Sequence, residues 1–215
     1  MFYINRHDAA LKLIPLLSKY KESDCVVLAI PRGGVPIGYY IAKELHFQMD
    51  LLLTKKIGHP LNSELAIGAV SLEDEIVENY PYIPRQYIDE KIIEIRSELK
   101  NRFKKFMGNR KPIAIKNKTV IIVDDGIATG NTLFAAIPMI QNKSPKKIVV
   151  AVPVAPSDTA EKIRNKVDEF ICPHITDNFS GVGSFYRNFS QVSDDEVIKL
   201  MDEFDIVDNK TSKTQ

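Results

Sequence analysis

Cysteine is scarce: two residues, Cys25 and Cys172, in a chain of 215. Each sits beside strand-like apolar residues. With no export signal in view, two reduced core thiols are expected rather than a disulfide. Two cysteines and four scattered histidines give no zinc-ligand spacing. No apolar run is long enough to cross a bilayer. Met1 to Ala10 carries Asn5, Arg6, His7 and Asp8 where a signal peptide needs an apolar core, so a cytoplasmic location is expected. Charge of one sign is lacking too, with Lys+Arg 29 against Asp+Glu 28. No global field marks a nucleic-acid or membrane binder, and any basic site must be local. There is no internal repeat and no low-complexity block.

What is present is a 44% hydrophobic content, enough for one well-buried core and too little for two full domains. Val26 to Ile30, Met49 to Leu53, Val120 to Val123 and Ile148 to Val152 read as buried strands, apolar on both faces and rich in β-branched residues. Helical spacing lies between them: Ile37, Ile41 and Leu45, then Leu133, Ile137 and Ile140. This alternation predicts an α/β fold, a mostly parallel sheet with helices on both faces. Ligands of such sheets bind beyond the carboxyl ends of the strands.

Three regions depart from the alternation. Residues Ile57 to Asn79 carry weak strand signals at Ala66 to Val70 and around Ile76. Ile88 to Phe106 is an amphipathic helix with Ile88, Ile92, Ile95, Leu99, Phe103 and Phe106 on one stripe. Its acids come early and its bases late, which complements the helix dipole. Cys172 to Asn188 is rich in glycine and aromatics, and Asp208 to Gln215 is polar and expected to be disordered.

The most informative run is Val120 to Thr132: four apolar residues, then Asp124-Asp125-Gly126-Ile127-Ala128-Thr129-Gly130-Asn131-Thr132, then a helical pattern. Two carboxylates emerge at the sheet's carboxyl edge as acceptors and hard oxygen ligands, suited to ribose hydroxyls and Mg²⁺. Gly126 and Gly130 let backbone N–H groups approach a ligand, and the following helix offers unpaired donors and a positive dipole end. Thr129 and Thr132 can donate hydroxyl hydrogen bonds to the same phosphate. An anion cradle beside an acidic pair is the complement of a sugar phosphate. The spacing is neither a Walker A loop nor a dinucleotide-binding glycine turn.

This string resembles the phosphoribosyl pyrophosphate signature of type I phosphoribosyltransferases. The resemblance runs over roughly residues 24 to 200 and extends to a branch of bacterial members with a similar stretch near the C-terminus. It implies that Asp124 and Asp125 hold the ribose 2- and 3-hydroxyls and meet the metal indirectly or through the ligand. It implies that Gly126 and Ala128 to Thr132, with Thr129, Gly130 and Asn131 between, hold the 5-phosphate. Hypoxanthine/guanine-type members usually carry an Asp just before the Thr-Gly pair, where this sequence has Ala128. That departure argues against a 6-oxopurine acceptor.

Other segments fall into place by order along the chain. Arg32-Gly33-Gly34 closes the first confident strand and opens a helix. Read alone, it is equally a phosphate-binding turn, with exposed N–H groups and a planar cation, or a plain helix start. Paired with the downstream motif, the resemblance assigns Arg32, Gly33 and Gly34 to pyrophosphate. It gives one of Lys55 and Lys56, which follow Met49 to Leu53, the same partner. Ile57 to Glu64 matches the family's mobile loop by position, with His59 and Glu64 as the nearby acid–base candidates. Phe179 to Phe189 lies where the family places its base-selecting hood. Phe185 and Tyr186 either stack on the base or pack the hood's own core.

The resemblance therefore implies one phosphoribosyltransferase domain over about 1–206. Hood elements lie at roughly 1–20 and 172–206, a mobile loop and inserted helix at roughly 57–110, and a disordered tail at about 207–215. It implies transfer of a 5-phosphoribosyl group from phosphoribosyl pyrophosphate to a nitrogenous base, with Mg²⁺ as cofactor and pyrophosphate released. Neither nucleic acid nor membrane is expected as a partner, and a homodimer is compatible. The competing expectation is a regulator of the same fold that binds the ligand without chemistry, although no segment is left over for a helix-turn-helix. A signalling receiver domain also carries an acidic pair after a strand. It places the pair after its first strand, whereas here the pair falls past mid-chain and leads into Thr-Gly-Asn-Thr.

Overall fold

The structure, a computed structural model, describes residues 2–78 and 80–211, with the side chains of Glu64 and 207–211 left aside. Its backbone forms two compact units. The first comprises Met1–Leu52, Lys111–Gly130 and Ser144–Gln215; the second comprises Leu53–Arg110 and Asn131–Lys143.

The first unit is built on a five-stranded parallel sheet. Its strands are β1 (Cys25–Ala29), β2 (Gln48–Leu51), β6 (Thr119–Val123), β7 (Lys147–Ala151) and β9 (Glu169–Ile171), in the order β2-β1-β6-β7-β9. Every residue of β1 and β6 is buried. A central parallel strand is covered on both faces, which is why Cys-Val-Val-Leu-Ala and Thr-Val-Ile-Ile-Val show no polar alternation. The four strands expected from sequence are present within one or two residues of their expected bounds. A short parallel pair, β8 (Val154–Pro156) with β10 (His174–Thr176), completes the strands of this unit.

Four helices belong to the same unit: α1 (Arg6–Leu17), α2 (Gly34–Leu45), α5 (Ser157–Arg164) and α6 (Asp194–Thr211). Helix α2 buries Ile37, Ile41 and Leu45, the spacing that predicted it. The start of α1 is fixed from both sides. Asn5 accepts a hydrogen bond from the Asp8 N–H at 3.0 Å, and the Asp8 carboxylate accepts one from the Ile4 N–H at 3.0 Å. Helix α6 runs to Thr211, into the stretch expected to be a disordered tail, and residues 212–215 lie outside the described residues.

The second unit holds an antiparallel sheet of β3 (Thr54–His59), β4 (Asn62–Ser71) and β5 (Glu75–Val77), with α3 (Arg85–Met107) and α4 (Asn131–Asn142). All six stripe residues of α3 are buried. The segment expected as a non-regular mobile loop, 57–64, is instead the turn and flanks of the β3–β4 hairpin. Pairing shifts register around Gly58, whose carbonyl accepts the Tyr87 hydroxyl at 2.9 Å. No helix among the described residues is long and apolar enough to cross a membrane.

Candidate active site

Strand order locates the site. After β1 the chain returns to the sheet at β2 on one side, and after β6 at β7 on the other. The carboxyl ends of β1 and β6 are therefore neighbours from which the connections diverge, the switch point where open parallel sheets form a crevice. Pairing runs in register to Ala29 and Val123, and the Ile30 N–H extends it with a bond to the Val123 carbonyl at 2.9 Å. Beyond that bond, Arg32-Gly33-Gly34 leaves β1 and Asp124-Asp125 leaves β6, side by side.

The two segments fit because of the glycines. A Cβ on Gly33 would lie 2.0 Å from Asp125 Oδ2, and one on Gly34 would lie 2.6 Å from the Val123 carbonyl oxygen. The tandem glycines serve first as the space into which the acidic pair packs. The Gly34 N–H is spent on the Ile30 carbonyl at 3.0 Å, so the donor expected there for pyrophosphate is already used. Arg32 remains half-buried, with Nη1 3.5 Å from Asp194 Oδ1.

The acidic pair is more enclosed than its place at a strand end suggests. Burial and the neighbouring Asp125 carboxylate push the Asp124 carboxyl well above the usual range. Its Oδ1 accepts the Asp125 N–H at 2.8 Å. Burial also raises Asp125, against the charge and hydrogen bonds of Arg6. Arg6 donates through Nε and Nη2 to Asp125 Oδ2 at 2.9 and 2.8 Å, and through Nη1 to the Ser190 carbonyl at 2.8 Å. Sequence reasoning missed this arginine because its partner lies 119 positions away. The only local signal was its place at the opening turn of α1.

The loop after the acids divides into an anchored and a presented half. Gly126, expected to let a ligand approach, is buried instead: a Cβ there would meet Val182 and Val154 side chains at 2.6 and 2.8 Å. The Ile127 N–H bonds the Val154 carbonyl at 2.9 Å, and the Ala128 carbonyl accepts the Thr159 hydroxyl at 3.0 Å. From there the chain turns outward. Ala128, Thr129, Asn131 and Thr132 are exposed, and Gly130 takes a φ of 74°, a left-handed turn that favours glycine. In the chain the loop leads directly into α4, whose first turn carries N–H groups without a partner inside the helix.

Lys55 and Lys56 fall in β3 of the second unit, where Lys55 is ion-paired with Glu98. His59 uses Nδ1 to accept the Leu61 N–H at 3.1 Å within the hairpin turn, and the Glu64 side chain lies outside the described residues. Phe185 and Tyr186 are core residues, 6% and 2% exposed. Phe185 packs among Phe2, His174 and Phe179, and Tyr186 among Tyr3 and Phe189, so neither ring offers a free face to a base. The Tyr186 hydroxyl donates to the Asp125 carbonyl at 2.7 Å. Its place is beneath the acidic pair.

With this geometry in view, comparison with known proteins is direct. The family description "Phosphoribosyl transferase domain" matches residues 7–190. Two Mycobacterium tuberculosis proteins, from strains CDC 1551 / Oshkosh and H37Rv, are each 36% identical over 203 residues. Both carry the name "Putative phosphoribosyl transferase". The match covers 92% of this chain and 46% of theirs, so the chain spans about half the length of these curated relatives. The crystal structure of TT1426 from Thermus thermophilus superposes with a TM-score of 0.86 at 31% identity, covering 95% of this chain and 99% of that one. The chain belongs to the phosphoribosyl transferase domain family.

Proposed function

We propose that this chain binds phosphoribosyl pyrophosphate and transfers its 5-phosphoribosyl group to a nitrogen nucleophile of a small base. The supporting observation is the pairing at the switch point: Gly33-Gly34, just past β1, lies against Asp124-Asp125, just past β6, Arg32 precedes the glycines, and Ala128 to Thr132 follows with all but Gly130 exposed. Cation, acid pair and hydroxyl-lined loop match, in order, a diphosphate, a vicinal diol and a terminal phosphate.

In this reading the C–N bond forms at the anomeric carbon as its bond to the pyrophosphate oxygen breaks, with inversion. Asp124 and Asp125 accept from the ribose hydroxyls, and Asp124 offsets positive charge on the ring. The loop residues hold the 5-phosphate, and Arg32 meets the leaving pyrophosphate. The remaining catalysis is positioning and fixed electrostatics. Among the described residues no three His, Cys, Asp or Glu side chains converge into a metal cage. Two adjacent carboxylates do fit Mg²⁺, which is commonly held by one or two carboxylates together with substrate phosphates. When bound, the metal would neutralise the leaving pyrophosphate.

The test is pyrophosphate release measured with phosphoribosyl pyrophosphate, Mg²⁺ and a panel of bases. Base-dependent release supports the reading. Tight ligand binding with no release for any base would replace it with the regulator of the same fold.

A further inference from the structure

We propose that Arg6 is a positioning residue of this site, fixing the Asp125 carboxylate so that Oδ2 is committed to the protein and the other oxygen meets a ribose hydroxyl. The inference rests on the phosphoribosyl reading for the identity of the ligand. Its geometry is independent of that reading.

Arg6 spends its donors in a fixed way. Nε and Nη2 converge on Asp125 Oδ2, Nη1 bonds the Ser190 carbonyl, and the guanidinium carbon lies 4.1 Å from the centre of the Phe189 ring. The fork is thus oriented by three partners before any ligand arrives. The segment that carries Arg6 is braced as well. Phe2 and Tyr3 donate to the Phe185 carbonyl at 3.0 Å each, Arg187 donates to the Tyr3 carbonyl at 2.8 Å, and Asn188 to the Ile4 carbonyl at 2.9 Å.

Asp125 is correspondingly confined. Its backbone carbonyl takes the Tyr186 hydroxyl, Gly33 closes one side of its carboxylate, and Arg6 holds Oδ2. Other ion pairs described for this chain carry more exposed side chains; here the two partners are 11% and 13% exposed. A surface pair of loose lysines would leave the carboxylate free to rotate. This one removes that freedom, and removing it before binding is how a fixed acceptor gains affinity.

The experiment is calorimetry on the full chain with two probes, phosphoribosyl pyrophosphate–Mg²⁺ and pyrophosphate–Mg²⁺, which lacks the ribose. The variants are Arg6→Met, Arg6→Lys and each combined with Asp125→Asn. Arg6→Met should weaken phosphoribosyl pyrophosphate about 10–100-fold, the usual effect of losing an outer partner of a ligand-holding carboxylate. Pyrophosphate affinity should stay within about twofold, and beside Asp125→Asn the Arg6 change should cost less than about twofold. Arg6→Lys keeps the charge but not the fork and should fall between Arg6→Met and wild type. Unchanged affinity in Arg6→Met overturns the proposal, and so does an equal loss for both probes, which would mark a merely structural pair. Should Arg6→Met not fold, the Arg6→Lys pair of comparisons decides on the same terms. If the wild-type chain binds neither probe, the phosphoribosyl reading itself falls; if it binds both and the variants match it, Arg6 alone falls.

Discussion

Gly33→Ala isolates the contact on which the acidic pair depends. Gly33 has φ −62° and ψ −34°, a right-handed conformation that alanine adopts freely. With no clash, the added methyl would stabilise the protein by about 0.4–1 kcal/mol through the unfolded chain. The clash decides otherwise. The new Cβ would sit 2.0 Å from Asp125 Oδ2 and 2.4 Å from its Cγ. Ordinary contact begins near 3.5 Å, so the carboxylate must retreat by more than about 1 Å. Arg6 and Tyr186 oppose that movement. Overpacking of this kind costs about 1–3 kcal/mol. After the backbone gain, a net loss of up to about 2.6 kcal/mol remains, lowering Tm by up to about 10 °C in a chain of this size. The functional loss should be larger in proportion, about 10²-fold in affinity for a ribose-bearing ligand, because an acceptor displaced by about 1 Å no longer meets its hydroxyl. Gly34→Ala is the control. Its Cβ would meet the Val123 carbonyl and Asp124 Cα, which cannot swing aside, so stability should fall further than in Gly33→Ala. Melting curves and calorimetry on both variants check the pair. Wild-type Tm and affinity in Gly33→Ala would refute the packing argument.

Two further outcomes follow from other parts of the molecule. Burial alone would raise the Glu169 carboxyl, but hydrogen bonds from Lys19, Tyr20 and Lys147 hold it down to about 2. A depressed acid stabilises the fold above its unfolded pKa and loses that contribution as pH falls through the folded value. Glu169→Gln should therefore cost up to about 1 kcal/mol at pH 7, because solvent screens so open a cluster, with the difference from wild type shrinking as pH falls from about 4.5 toward 2 in urea melts. A gap that does not change with pH would contradict the assignment. At the loop, the Ala128 side chain is exposed and cannot accept a proton or hydrogen bond, so hypoxanthine and guanine should not be turned over efficiently. Pyrophosphate release with either base at rates on the order of 1–10³ per second would show that another group supplies the carboxylate.

Local patterns were legible in the sequence, and long-range pairings were not. The apolar runs at 26–30 and 120–123 announced two central strands because strands covered on both faces lose polar alternation. The α3 stripe was legible for the same kind of reason. The strand before each motif placed Arg32-Gly33-Gly34 and Asp124-Asp125 at the carboxyl edge of the sheet; the switch point itself became visible only in the strand order. Four things escaped. Gly58 and Pro60 read as loop breakers, yet they lie in the hairpin region, where antiparallel pairing tolerates a register shift. Phe185 and Tyr186 sit in a glycine-rich run with no period, so nothing local told which way their rings face; Phe2 and Tyr3 cover them from far along the chain, together with the nearer His174. Lys55, one of the two lysines of which one was expected at the pyrophosphate, is ion-paired with Glu98 on α3, a partner that no local pattern announced. Arg6 is the clearest case, since only folding brings it to Asp125.

The most direct test of the central claim is calorimetric titration of the chain with phosphoribosyl pyrophosphate and Mg²⁺, beside the Asp124→Asn, Asp125→Asn double variant. The account predicts a saturable wild-type isotherm and a loss of at least about tenfold in the double variant, with its melting curve showing a folded protein. Equal affinity for the two proteins, or no binding to the wild type, would contradict it.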